Sequence, residues 1–513
     1  MTINLKPREY QQKIFETARA GNTLVVLPTG LGKTLIALML AVERKEKYPL
    51  SKILFLAPTR PLAEQHFKTF EENLPELWAD LQLFTGSVSA KERQKIFRTA
   101  EIIFSTPQCI ANDLRSGLYT MHEVSLLVID EAHRCLKNYD YTKVVDYYKR
   151  ESKRQRILGL TASPGSEEKQ VKEICKHLDV SQIEVRTRES DDVKDYLQEL
   201  EFEQVVVPFP KEFIELKVLL KKIYDARVAE LRKRRLLFGP SFKTALLQLQ
   251  RKLAGQTASG GRKNFNVMIG MSLTAQAIKI SHALELLETQ TLSGLQEYLF
   301  GLVKQAEQKK SKGVQRLVKE KDFQAALLSL KTLLDVKMEH PKLEECAVLV
   351  ENQFKEKKDS KVIIFTQFRE TGSKLTERLN KVDGVKASTF FGQAKKGNTG
   401  YSQKEQREVL EKLNSGEINV LVATSIGEEG LDISEVSAVI FYEPIPSAIR
   451  KIQRTGRTAR LAPGKLFILI TKDTRDMINH YASSAREKKM YKTIEIVREE
   501  IKNGRKDKSL GEF

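Results

Sequence analysis

The chain has 513 residues, 41% hydrophobic, 30% charged and 7% aromatic, and a net charge of +19 from 86 Lys/Arg against 67 Asp/Glu. This length predicts about three domains, and the composition is that of a soluble globular protein. The charge favours a polyanionic partner, nucleic acid before an acidic membrane surface. The four cysteines, Cys109, Cys135, Cys175 and Cys346, form no CxxC pair, which argues against a disulfide framework or a zinc site. The first residues do not read as a signal peptide, and no apolar run approaches the ~18 residues of a membrane span.

Over the first 200 or so residues, short β-branched apolar runs alternate with helical patterns, as in an open parallel sheet with helices on both faces. The runs are Leu24–Leu27, Ile53–Ala57, Ile102–Phe104, Leu126–Ile129 and Ile157–Leu160. The first leads into Leu27-Pro28-Thr29-Gly30-Leu31-Gly32-Lys33-Thr34 and then the helical run Leu35–Val42. Strand, glycine-containing loop and helix is the geometry that aims backbone N–H groups and a helix N-terminus at phosphate oxygens. In it Lys33 would reach the β- and γ-phosphates and the Thr34 hydroxyl would ligate Mg²⁺. The strict pattern has glycine where this chain has Leu27. The fourth run ends in Asp130-Glu131-Ala132-His133, where Asp130 would hold Mg²⁺ and Glu131 would orient or deprotonate an attacking water. Together the two motifs predict an NTP-hydrolysing site. His133 has no metal-spaced His or Cys partner and is not expected to bind metal.

A different pattern follows. Between Lys211 and His340 there is a single proline, Pro240, with long helical stretches such as Phe213–Glu230 and Phe323–Leu334, which predicts an all-helical insertion. Residues 211–330 hold 22 Lys/Arg against 10 Asp/Glu, most of the chain's net charge. From Leu231 to Ile280 there are ten basic residues and no acidic one, among them Arg232, Lys233, Arg234, Arg235, Arg251 and Lys252. An isolated charge run is a solvated face. Fifty residues without a carboxylate read instead as a polyanion-binding face. Gly255–Lys263 reads as a flexible basic loop. The α/β rhythm then returns with Val362–Phe365, Val420–Ala423, Val439–Phe441 and Leu466–Ile470.

These motifs, taken in order, resemble those of the superfamily-2 helicases over nearly the whole chain. Further ones are Ala57-Pro58-Thr59-Arg60-Pro61-Leu62, Thr85-Gly86, Thr106-Pro107, Thr161-Ala162-Ser163, Ile364–Phe368, Ala423–Asp432 and Gln453–Arg460. The resemblance implies two RecA-like α/β domains, at 1–204 and 346–490, flanking a helical, basic insertion at 205–345 and followed by a basic tail at 491–513. It implies that Tyr10 and Gln11 read adenine, and that Thr29, Gly30, Gly32, Lys33 and Thr34 hold the phosphates. Gly430 and Asp432 would then bind the nucleotide, Asp432 at the ribose, with Gln453, Arg457 and Arg460 in catalysis, the two arginines as fingers reaching the γ-phosphate from the second domain. Thr59, Arg60, Thr106, Thr366, Gln367 and Thr424 become nucleic-acid contacts.

The insertion, the Asp-Glu-Ala-His spelling and the Gln-Arg-x-Gly-Arg-x-x-Arg motif are most similar to Hef and the Fanconi-anaemia M-type translocases. The RIG-I and Dicer type of duplex-RNA-dependent ATPase is the alternative. The Hef likeness implies an ATP- and Mg²⁺-dependent motor remodelling forks and four-way junctions, cytoplasmic and nucleoid-associated. In that family a C-terminal nuclease with a Glu-Arg-Lys-x-x-x-Asp core follows. Glu43-Arg44-Lys45 is followed by Pro49 instead, and this chain is expected to be the helicase part alone.

Overall fold

The structure, a computed structural model, describes residues 3–75, 78–196, 200–258, 265–392, 400–424, 436–445 and 464–509. Its first sheet is built from β1 (Thr23–Val26), β2 (Lys52–Leu56), β3 (Leu81–Phe84), β4 (Ile102–Ser105), β5 (Val124–Ile129), β6 (Ile157–Thr161) and β7 (Gln182–Val185). They lie in the order β3-β4-β2-β5-β6-β1-β7, all parallel. The second sheet contains β8 (Leu200–Val207), β9 (Val362–Phe365), β10 (Ala387–Phe390), β11 (Val420–Ala423), β12 (Ala438–Phe441) and β13 (Gly464–Thr471). Its order is β10-β11-β9-β12-β13-β8, again parallel.

Parallel sheets covered by helices on both faces need strands that are apolar on both faces. Alternate residues therefore enter different cores: Leu24 and Val26 one, Val25 and Leu27 the other. The second sheet repeats the division, with Val362 and Ile364 against Ile363 and Phe365. Each strand expected from an apolar run is found. The four that went unmarked, β3, β7, β8 and β10, are the four edge strands of the two sheets. Their residues are mostly half-buried or exposed, so no continuous apolar run betrays them.

Among the described residues between β8 and the helix Lys342–Glu356 lie six helices: Phe213–Lys233, Lys243–Ala258, Phe265–Thr289, Leu292–Glu307, Lys312–Val318 and Lys321–Asp335. Phe213, Leu216, Leu220 and Ile223, at helical spacing, pack with Ile280, Leu287, Leu299 and Phe323 in one core. A smaller core joins Leu231, Leu246, Leu253 and Val267. No helix among the described residues is long and apolar enough to cross a membrane.

Several expected boundaries move. The one at 204/205 falls inside β8, which pairs along its length with β13, so the chain enters the second sheet before the insertion begins. The boundary at 345/346 falls inside the helix Lys342–Glu356, whose Leu343, Cys346, Ala347 and Val350 pack on the second sheet. The stretch expected as a tail from residue 491 continues the helix Arg475–Ser509. Met490, Ile494 and Val497, four and three residues apart, are buried in the core of the first sheet. The expected loop at Gly255–Lys263 is helical as far as Ala258, and 259–264 lie outside the described residues.

Insertion and second sheet meet at a buried polar joint. Lys342, fully buried, pairs with Asp476 and donates to the carbonyls of Tyr442 (3.1 Å) and Thr289 (3.3 Å). A buried ammonium is tolerable only with its donors used in this way.

Candidate nucleotide and nucleic-acid site

The loops that follow β1, β2, β4, β5 and β6 all leave the carboxyl edge of the first sheet, where ligands of open α/β sheets bind. After β1 the chain stays extended for one more residue, Leu27 N–H donating to Thr161 O at 3.0 Å, and Leu27 is fully buried. No positive φ occurs there, which is why leucine replaces the glycine of the strict pattern. The turn comes later, at Gly30 (φ 88°) and Gly32 (φ 73°). The left-handed φ of Gly32 favours glycine, and a Cβ there would also push on the end of the Gln11 side chain, 2.3 Å from Nε2. Gly32 also caps the helix Lys33–Lys47 and has no side chain to bond the first N–H groups of that helix, a terminus suited to an anion.

Tyr10 and Gln11 support this loop from beneath. The buried Tyr10 hydroxyl donates to Leu31 O at 2.9 Å and Gln11 Nε2 donates to the same oxygen at 3.2 Å. Burial raises the Tyr10 pKa, so the hydroxyl stays a donor. Lys33 Nζ donates to Leu27 O (2.9 Å) and Pro28 O (3.4 Å), inside the curve of the loop.

The Asp-Glu pair is fixed through its backbone. Asp130 N–H donates to Leu56 O at 2.9 Å and Tyr141 Oη–H to Asp130 O at 2.8 Å. Glu131 takes the left-handed conformation (φ 51°), an uncommon state for a non-glycine residue that clusters at functional sites. Its Oε2 is buried without a hydrogen bond, 3.2 Å from His133 Nδ1. His133 Nδ1 is also 3.2 Å from Thr161 Oγ1, which joins the Asp-Glu-Ala-His turn to Thr161-Ala162-Ser163. Burial opposes ionisation of Asp130. The charge and hydrogen bond of His66, then Lys33 and the Glu131 backbone N–H, outweigh it and lower the pKa.

His66 was not expected from the sequence. Its Nε2 is 2.9 Å from Asp130 Oδ2 and its Nδ1 is 3.1 Å from Thr34 Oγ1, so it links the two side chains assigned to Mg²⁺. A helix N-terminus free of a capping side chain, a hydroxyl, an ionised buried carboxylate and a nearby lysine form a donor set that fits a magnesium–nucleotide complex.

The expected nucleic-acid contacts are placed unevenly. Arg60 is exposed and paired with Glu64 at 2.6 Å, Thr106 is half-buried, and the buried Thr59 hydroxyl oxygen has no partner. Thr366 is fully buried, its hydroxyl donating to Glu443 Oε2 at 3.4 Å, so that hydroxyl supports its loop from within instead of facing a strand. Gln367 beside it is exposed and its backbone N–H also goes to Glu443. Glu443 receives Gln290 Nε2 at 3.3 Å from the insertion. Thr424 is buried, directly after β11. On the insertion Arg232, Lys233, Arg235, Arg251 and Lys252 are exposed. Arg234 is half-buried and bonded to Glu230 (2.7 Å) and Asn266 (3.2 Å). Gly430, Asp432, Gln453, Arg457 and Arg460 lie outside the described residues.

Comparison with known proteins gives a consistent picture. The DEAD/DEAH box helicase model matches residues 8–171 and the helicase conserved C-terminal domain matches 342–462. A helical-bundle model provisionally named for an ATP-dependent RNA helicase matches 212–339. A Methanocaldococcus jannaschii protein, provisionally named an ATP-dependent RNA helicase, is 36% identical over 96% of this chain and 61% of its own length. The ATP-dependent DNA helicase mph1 of Neurospora crassa is 33% identical over 92% of this chain and 41% of its own. The Fanconi anemia group M protein homolog of Mus musculus is 32% identical over 96% of this chain and 26% of its own. The chain thus spans less than two thirds of the length of these curated relatives. The crystal structure of the Pyrococcus furiosus Hef helicase domain aligns with a TM-score of 0.72 and 40% identity, over 94% of this chain and 100% of that one. With that helicase domain covered in full, the chain belongs to the Hef-like superfamily-2 helicases of the DEAD/DEAH-box class.

Proposed function

We propose that the chain is an ATP-driven DNA motor that remodels branched DNA, forks and four-way junctions in particular, in a cytoplasmic, nucleoid-associated setting. The convergence of Lys33, Thr34, Asp130 and Glu131 on one sheet edge, with His66 joining Thr34 to Asp130, carries the reading. In it Lys33 leaves the loop carbonyls for the β- and γ-phosphates, and Glu131 orients the attacking water. Thr34 and Asp130 would hold Mg²⁺, which supplies charge neutralisation across the phosphates. Arg457 and Arg460 are assigned as arginine fingers from the second domain, with Gln453 beside them, Gly430 at the nucleotide and Asp432 at its ribose. Turnover would then require the two domains to close, and hydrolysis would release them, giving alternate grips on DNA. The exposed basic face of the insertion supports a grip on phosphates.

Relatives named as DNA helicases and the Hef likeness favour DNA over RNA. The provisional RNA-helicase names favour the second reading, a duplex-RNA-dependent ATPase. ATP hydrolysis measured with matched single-stranded DNA, linear duplex, fork, four-way junction and duplex RNA separates them. Greatest stimulation by fork or junction is expected, whereas greatest stimulation by duplex RNA would overturn the substrate assignment and leave the motor standing.

A further inference from the structure

His66 sits on the inward face of the helix Arg60–Asn73, with Ala63 and Phe70, and its ring lies 4.4 Å from that of Phe55. A histidine on such a face normally spends its nitrogens on nearby backbone. Here both go to side chains at the nucleotide site, Nδ1 to Thr34 Oγ1 at 3.1 Å and Nε2 to Asp130 Oδ2 at 2.9 Å. An ionised carboxylate only accepts, so the hydrogen is on Nε2. Nδ1 shares the second hydrogen bond with the Thr34 hydroxyl. The Thr34 hydroxyl and one Asp130 oxygen are thereby each held in place.

The topology makes this link significant. Thr34 follows β1 and Asp130 follows β5, and β6 lies between those strands, so no ladder hydrogen bond sets their separation. A rigid ring anchored in the core beside Phe55 does. We propose that His66 is a positioning residue for the divalent cation of the nucleotide complex, fixing the orientations of the Thr34 hydroxyl and the Asp130 carboxylate on either side of its ring. Because its ring is tethered in the core, it holds both groups in fixed orientations. The proposal rests on the ATP reading above, and it follows the general behaviour of groups hydrogen-bonded to metal ligands, whose loss costs about 10–100-fold in metal affinity.

The test is calorimetric binding of ADP in EDTA and in saturating Mg²⁺. His66→Phe keeps the ring against Phe55 and removes both hydrogen bonds. His66→Gln keeps an acceptor and a donor on one amide. In His66→Phe the gain in ADP affinity on adding Mg²⁺ should shrink about 10-fold, with affinity in EDTA unchanged. His66→Gln should recover part of the gain. Melting temperatures without nucleotide report folding, and His66→Leu provides the same arm if phenylalanine does not fold. An undiminished Mg²⁺ gain in the variants lacking both bonds, or an equal loss with and without Mg²⁺, overturns the proposal. Wild-type protein without Mg²⁺-dependent ADP binding would instead overturn the nucleotide reading itself.

Discussion

At the scale of single residues, the chemistry depends on side chains whose positions are over-determined by neighbours. Lys33 bonds the carbonyls of its own loop, and that loop is supported from below by Tyr10 and Gln11. Lys33→Ala is therefore expected to leave the fold intact and to abolish nucleic-acid-stimulated ATP hydrolysis; retained strand displacement would refute the assigned role. Glu131 is held in a strained conformation with a buried, unbonded oxygen. Glu131→Gln should keep nucleotide affinity near wild type and lower turnover by roughly 10²–10⁴-fold, as for loss of a general base, read by separate binding and steady-state assays. The phosphate loop and the Asp-Glu pair were legible in the sequence because their residue types and flanking apolar runs are local signals. His66 was not, since one histidine on an amphipathic helix looks like any core histidine. Its partners are 32 and 64 residues away.

At the scale of elements, the insertion holds most of the charge, and the structure distinguishes among its basic residues. Carboxylates flanking the acid-free stretch neutralise part of it: Glu230 pairs with Arg234, and Glu285 with Lys243 at 2.6 Å. Arg232→Glu and Arg235→Glu should each lower the log–log salt slope of forked-DNA binding by roughly 0.9, the value for one lost phosphate contact. Arg234→Ala should change it less. Equal effects at all three positions would show that the Glu230 pair does not persist in solution. Thr366 makes the opposite point, because its motif reads as a strand contact while its hydroxyl is spent inside the domain on Glu443. The joint between insertion and second sheet also has a pH dependence. His340 is fully buried, with Nε2 3.3 Å from Glu288 O and Nδ1 accepting from Lys342 N–H at 3.3 Å. Burial, then the charge of Lys342, push its pKa down to about 3. The folded state thus binds fewer protons than the unfolded chain below pH ~6.5. Stability should be full above that pH and fall as pH drops toward 3, by at most ~1.4 kcal/mol per pH unit. His340→Asn should flatten that fall in denaturant titrations, and an unchanged pH slope would exclude His340 as its source.

For the molecule as a whole, the long final helix is the unexpected feature. It begins beside the second sheet, where Asp476 pairs with Lys342, and buries Met490, Ile494 and Val497 in the core of the first. Ser163, the last residue of Thr161-Ala162-Ser163, donates to the Met490 sulfur, and Lys172 pairs with Glu500 at 2.7 Å. Ile494→Ala should cost about 2–5 kcal/mol, the range for truncating a buried isoleucine, measured by denaturant unfolding. A change near zero would mean that the helix is not docked in solution.

By itself the sequence determined the inner strands of both sheets, the helical insertion, and the order and chemistry of the nucleotide motifs. Each depends on a residue's type and on neighbours within a few positions along the chain. Tertiary structure alone decided the four edge strands, the His66 link, the burial of Thr366 and the docking of the last helix. An edge strand is half-wet, so its composition resembles a loop, and only a distant partner supplies its hydrogen bonds. The final helix is as charged as a solvated tail, and its three buried residues gain meaning only from a core built more than 300 residues earlier.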